Sequence, residues 1–441
     1  MWLPLNFLHN DCNNYLKYSY FLYNEAASQL MQMKKDILKA IVQNKPFYGM
    51  MTALLNITFQ NNRENFNISI EFIEKILYLL EDAIDFFLYI FSSKSENKEY
   101  SSSFAEMGLA INETIRNSEI NNLNFDDLSL TPAHQVLISC IWMSLKVSCE
   151  IACEIGILMY SYDIIKRSAN IIITVLLRCR HKGVVEAAGT AIAQLTRYLC
   201  KQAKYSNLPK KYILRIMEND SMHSLNITRR AAGLSIMFYK IVVSDDRREK
   251  PLLHFAVQKL LDLLDNISDI NLKSIESQHD SPWARYLHFL KTLVADKELH
   301  AQLMPYMEKI SLTCFRYLES EIWTIRNASL QLFGAIISRL TGQNYNDTLD
   351  FGNGYSINHF VTHYPVLADH IMKELYKFSF TFRRFSTTLY LHSNIVHILI
   401  LLSKFSSSAC NLIDYSSQKY VSKLKYYFLC YLKILFYMLD F

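Results

Sequence analysis

Thr228-Arg229-Arg230-Ala231-Ala232-Gly233 sets charge near a helix start and follows it at once with small residues, and the reading of this stretch decides the fold. The same pattern stands at Val185-Glu186-Ala187-Ala188-Gly189 and at Ile325-Arg326-Asn327-Ala328-Ser329. The charged positions 186, 229 and 326 lie 43 and 97 residues apart, which is one and about two periods of a repeat of roughly 40–47 residues built from helices. Small residues at such positions let a neighbouring helix approach closely, so a pile of helix pairs is expected, each burying its apolar face on the next.

The rest of the chain agrees. Its 441 residues include only 10 Gly and 8 Pro, whereas sheet-rich folds and phosphate loops use both freely in tight turns. With 51% hydrophobic and 20% charged residues the composition is globular and not disordered. Apolar residues recur at helical spacing over 69–91 and 136–159, the latter with Lys146, Glu150 and Glu154 on one side. Polar, turn-forming stretches at 92–103 and 121–132 flank a short helix near 104–115, and further breaks fall at 201–209, 244–251, 268–282 and 343–356. No run alternates with period two for long enough to propose a sheet. The expected fold class is all-α, a HEAT/armadillo-like α-solenoid of stacked antiparallel helix pairs with a concave binding surface. Residues 1–134 are expected to form a helical segment of the same solenoid, 135–405 its repeat core, and 406–441 an apolar, aromatic tail outside it.

Catalytic motifs are missing where they would stand out. The sequence contains no G-x-x-x-x-G-K-[ST] phosphate loop, no H-E-x-x-H zinc helix and no G-x-S-x-G nucleophile turn. His359 and His363 share a helix face at i,i+4, with His370 beyond; without an intervening Glu they read as partly exposed histidines beside Tyr364-Pro365 and not as a metal pair. Nine Cys without a C-x-x-C pair read as reduced, buried thiols of a cytoplasmic protein, Cys149 and Cys153 among them. The N-terminus shows no basic stretch ahead of an apolar one, so no secretory signal is expected. Residues 426–441 are apolar but short of the roughly 20 that a membrane helix needs, so no membrane partner is expected either. A net charge of +5 falls short of a dedicated DNA-binding domain, and any nucleic-acid role must rest on local patches.

Three such patches stand out. Arg178, Arg180, His181 and Lys182 end an apolar helix before Gly183, either as a cationic cap on that helix's C-terminus or as a contact surface. Arg229 and Arg230 fall in a first helical turn, where the dipole disfavours positive charge. Either an acidic side chain from an adjacent repeat or a bound phosphate offsets that cost. Gly233, one turn on, implies a closely approaching backbone or partner; Leu there is expected to disrupt packing and Ala to be mild, gaining up to about 1 kcal/mol in helix propensity. In the third patch Trp323 stands near a helix start with Arg326 and Asn327, and reads as core, with an interface anchor as the alternative.

These residues carry a resemblance. Thr228-Arg229-Arg230-Ala231-Ala232-Gly233-Leu234-Ser235 resembles the R-R-S-A-G-L-P signature of the thyroid adenoma-associated protein (THADA) family, whose yeast member is the regulatory subunit of a tRNA 2'-O-methyltransferase. The segment 180–186 (RHKGVVE) resembles the family's R-H-R-G-x-x-E, Pro305-Tyr306 its P-Y-[IV] helix start, and 322–330 (IWTIRNASL) its L-W-A-V-R-N-S-S; Tyr364-Pro365 and 392–404 (HSNIVHILILLSK) fit the family's downstream segments. Ala231 and Ser235 depart from it, removing a hydroxyl and a proline. Family members are much longer, so the chain is expected to be a central portion of such a protein.

The resemblance implies a non-catalytic regulatory subunit that binds an FtsJ-type tRNA 2'-O-methyltransferase and helps present the tRNA anticodon loop. It implies no cofactor on this chain, since S-adenosylmethionine belongs on the partner; the modest net charge leaves no DNA partner expected. Arg229, Arg230 and Gly233 are the first candidates for partner or RNA contact, followed by Arg180, His181, Lys182, Trp323, Arg326 and Asn327. The alternative is a HEAT-repeat protein scaffold without an RNA role, for example a regulator of a membrane calcium pump.

Overall fold

A computed structural model describes residues 12–43, 45–60, 68–91, 104–119, 132–218, 232–265, 281–342, 355, 357–384 and 393–405. Among them there are helices and connections but no strand. The chain divides into two compact units, residues 1–253 and 254–441.

The first unit holds α1 (Cys12–Lys35), α2 (Ile37–Val42), α3 (Phe47–Leu54, continued by a π-helical turn at Leu55–Gln60), α4 (Ile70–Phe91) and α5 (Phe104–Arg116). It continues with α6 (Pro132–Leu158), α7 (Tyr162–Arg178), α8 (Lys182–Lys201), α9 (Leu208–Glu218) and α10 (Ala232–Val243). The helices expected at 69–91, 104–115 and 136–159 are α4, α5 and α6. Connections of three residues join α6 to α7 and α7 to α8, short enough that consecutive helices must double back. From α6 onward the helices pack on near neighbours in the chain: α6 on α7 and α8, α7 on α8, and α8 on α9 and α10. That is the packing of stacked helix pairs.

One face of α6 is buried from Leu137 and Ile141 to Ile151 and Ile155. It is one helix among the described residues long and apolar enough to cross a membrane, and here most of its apolar surface is covered by protein. Its serines are satisfied internally, Ser144 Oγ donating to the Cys140 carbonyl at 2.7 Å and Ser148 Oγ to that of Ser144 at 2.8 Å. Lys146 and Glu150 pair at the surface, 3.8 Å apart, but Glu154 is buried, contrary to the single polar face expected for these three residues. Helix α4 ties its acidic side to α7, with Glu81 taking both Nε and Nη2 of Arg167, at 2.5 and 2.7 Å, and Asp85 taking Arg178 at 2.8 Å.

The second unit contains most of α11 (Pro251–Asp265), then α12 (Pro282–Ala295), α13 (His300–Leu318), α14 (Trp323–Thr341), α15 (Ile357–His363), α16 (Pro365–Arg384) and α17 (Ser393–Ser403). α14 packs against both α12 and α13. Arg339 on α14 closes the C-terminus of α12, its guanidinium donating to the Val294 and Ala295 carbonyls at 2.8 and 2.9 Å. α14 itself stops at Gly342, whose φ of 67° requires a residue without Cβ strain. The proline expected to open a helix, Pro305, lies inside α13 instead: a short 3-10 turn at Lys297–Leu299 starts the helical run earlier.

Candidate functional site

The sequence candidates cluster at the starts of α8, α10 and α14. At the first, α7 ends at Arg178 with Cys179 as its C-cap, and His181 caps α8. Gly183 is therefore the second residue of α8, and the reading of the whole basic run as the end of one helix holds for Arg178 alone. That cation is engaged by Asp85. Arg180 and His181 are half-buried in the turn, while Lys182 is exposed and reaches Glu186 at 3.8 Å, an open pair of little energetic weight.

His181 adds no charge at neutral pH, because burial holds its imidazole below the ordinary value of 6.5. The carbonyl of His181 accepts from the amides of Val184 and Val185 at 3.0 Å, and its ring lies 6.3 Å from that of Trp142 on α6. Gly183 makes room for this: a Cβ there would meet the Trp142 Nε1 at 2.9 Å. Trp142 Nε1 and His181 Nδ1 are both buried without a hydrogen-bond partner among the described residues. Sequence reasoning missed Trp142, which sits in an unbroken apolar helix with nothing to mark its indole.

At the second start, Arg229 and Arg230 lie outside the described residues, directly before α10. Gly233 is described and buried. A Cβ added there would lie 1.7 Å from the carbonyl oxygen of Leu176 and 2.8 Å from its carbon. The close approach foreseen for Gly233 is made by the backbone of α7. It excludes alanine as well as leucine, which corrects the expectation that alanine would be mild. Gly189 on α8 plays a similar part more loosely, its absent Cβ falling 2.9 Å from Ile236 Cγ2 on α10. The lock at Leu176 and Gly233 therefore joins the start of α10 to the end of α7, four residues before Arg180.

At the third start, Trp323 opens α14 with its side chain 63% exposed, not in the core. The first two turns bury Ile325, Ala328 and Ser329 instead, and the ring falls on the opposite face. Ser329 Oγ donates to the Cys314 carbonyl at 2.7 Å, binding α14 to α13 across a small-residue contact. Arg326 is tied to its own loop, donating from Nη1 to the Ser320 carbonyl at 2.6 Å and the Glu321 carbonyl at 3.4 Å, and Asn327 beside it is half-buried. The residues of the first two groups belong to one unit, and Trp323, Arg326 and Asn327 to the other.

The histidine pair is stacked: the rings of His359 and His363 lie 3.8 Å apart, with Tyr355 on the far side of His359 at 4.4 Å. No group of three metal-ligating side chains occurs among the described residues.

Comparison with known proteins places these features in context. Residues 71–324 match a family model described as THADA/TRM732, DUF2428, and residues 326–427 one described as Trm732, C-terminal TPR repeats. The matches begin before and end after the 135–405 that the motifs span, and the second names a helix-pair repeat of TPR type. The chain is 26% identical over 264 residues to the tRNA (32-2'-O)-methyltransferase regulator THADA of Chlorocebus aethiops, covering 55% of this chain and 13% of that protein. It is 25% identical over 297 residues to the protein of the same name from Canis lupus familiaris, covering 62% and 15%. To the tRNA (32-2'-O)-methyltransferase regulator trm732 of Schizosaccharomyces pombe it is 25% identical over 261 residues, covering 56% and 17%. The match thus spans less than a fifth of the length of these relatives. No solved structure matches.

Proposed function

The chain belongs to the THADA/TRM732 family, and from that premise we propose that it is a non-catalytic regulator of tRNA ribose 2'-O-methylation, acting in the cytoplasm on an FtsJ-type methyltransferase. The enzyme would hold S-adenosylmethionine and the reacting groups, and this chain would position the anticodon loop. Its relatives are named as regulators of a tRNA (32-2'-O)-methyltransferase and not as the enzyme. The observation that carries the reading is the match of residues 71–324 to the family, which includes the arginine pair.

The lock between Gly233 and Leu176 supports a shared role for the two basic segments of the first unit. Three residues of chain can carry Arg230 no more than about 11 Å from Gly233. The turn with Arg180 and Lys182 leaves the same end of α7. Cations placed at or just before helix starts along the chain suit phosphate, which gives affinity and register without reading sequence.

The test is to change Arg229 and Arg230 to Ala in the full-length protein and map ribose methylation in the anticodon loop. The fold is expected to survive and methylation to drop sharply, with Lys at both positions rescuing only in part, because Lys lacks the planar fork. Unfolding of the Ala variant would show the pair to be an internal ion-pair site. A folded variant with normal methylation would favour a protein-only scaffold.

A further inference from the structure

The ends of α6, α8 and α9 bring tyrosines and cations together on one edge of the first unit, away from the arginine pair in sequence. The turn after α6 exposes Tyr160 at 75%, and Tyr162 opens α7 at 42% exposed. Both are supported by further tyrosines. Tyr205, in the turn after α8, donates its phenol to the Tyr160 carbonyl. Tyr198 on α8 stands within electrostatic reach of the Tyr160 and Tyr205 side chains. Tyr212 on α9 is buried within electrostatic reach of Tyr162 and Arg215, its hydroxyl without a hydrogen-bond partner among the described residues.

Two cations adjoin this group, Lys204 at Tyr205 and Arg215 at Tyr212. The Lys204 ammonium lies 5.3 Å from the centre of the Tyr205 ring, and Lys211 and Arg215 stand exposed one turn apart on α9. Arg197 and Lys201 are engaged by Asp246 at 2.8 and 3.8 Å, whereas Lys204, Lys211 and Arg215 have no carboxylate partner among the described residues. One exposed carboxylate, Asp163, stands beside Tyr162 in the first turn of α7, where the helix dipole favours it.

Unstacked RNA bases need aromatic faces fixed in place, and the phosphates between them need unpaired cations; an acidic protein needs only the second. We propose that this edge, Tyr160 and Tyr162 with Lys204, Lys211 and Arg215, binds a single-stranded RNA loop. The RNA chemistry is read from the surface itself, and only the identity of that RNA as tRNA rests on the function proposed above.

The full chain is titrated with a short RNA stem-loop, with duplex RNA of equal length and with polyglutamate. The stem-loop should bind more tightly than the duplex. Tyr160→Ala should weaken it about tenfold with helicity unchanged, and Tyr160→Phe should retain it. Replacing Lys204, Lys211 and Arg215 together by Ala should lower the slope of log affinity against log salt by about 2, at roughly 0.7 per cation on a single strand. Stem-loop binding indifferent to both sets of variants, or polyglutamate competing as well as RNA, would overturn the proposal. The same variants, placed in cells lacking the native protein, separate it from the regulator reading. Lost RNA binding with methylation independent of the chain leaves the edge standing and sinks the regulator. Methylation that needs the chain, with RNA binding indifferent to the edge, sinks the edge alone.

Discussion

A methyl group added to Gly233 would sit 1.7 Å from the Leu176 oxygen, far inside van der Waals contact, so α10 or α7 would have to move. The propensity gain of Ala over Gly, about 1 kcal/mol, is smaller than the strain of overpacking, typically about 1–3 kcal/mol or more. A clash this short with backbone puts the strain at the upper end of that range, so Gly233→Ala is expected to lower stability in urea by about 2 kcal/mol net, and Gly233→Leu by more. Equal midpoints for Ala and wild type would remove the close-approach argument. The sequence shows that Gly233 is out of place in a helix, but a helix pattern cannot say whether a side chain, a backbone or a partner fills the space. Trp323 shows the converse. Its hydrophobicity points inward, yet its angular position one residue into α14 points out, and Ile325 and Ala328 take the core.

At the scale of the element, the start of α11 depends on a single carboxylate. Asp245 is fully buried, accepts from Arg247 Nε and Nη2 at 2.7 and 2.9 Å, and receives the Leu252 amide at 3.0 Å. The loop it organises includes Lys250 at φ 41°, a left-handed conformation that needs support from its surroundings. Burial pushes the Asp245 carboxyl up, but the Arg247 guanidinium and the Leu252 and Arg247 amides outweigh it and leave the group below its ordinary 3.8. A depressed carboxylate stabilises the fold above its unfolded value and loses that contribution as pH falls through the folded one. Asp245→Asn should thus destabilise at neutral pH by about 1–3 kcal/mol. The gap to wild type, followed by thermal melts, should stay flat down to about pH 4 and close below it. A gap that persists in acid would mean that shape and not charge matters there. Helices such as α4 and α6 were legible from apolar spacing; this loop was not, because Asp245 and Arg247 differ in nothing from other surface charges until Leu252 folds back on them.

Across the whole molecule, Cys140, Cys149, Cys153, Cys179, Cys200 and Cys314 are all buried, distributed over both units. Burial raises the thiols of Cys140, Cys179 and Cys314 to about 12 and that of Cys200 to about 11. Because the thiolate is the reactive form, native protein should leave these six unalkylated by iodoacetamide while denatured protein reacts fully, as read by mass spectrometry. Rapid labelling of any of the six in the native state would mean that its helix opens locally. The tail at 406–441 lies outside the described residues, although the family match runs to 427. Helical class, the small-residue repeat and family membership were determined by the sequence alone, because periodicity and ordered motifs are local properties that survive along a chain. Only the tertiary structure decided that Gly233 meets the α7 backbone and that Arg178 is engaged by Asp85. It also decided that Tyr160 gathers Tyr198 and Tyr205 beside Lys204, since each of these contacts joins residues that no local spacing relates.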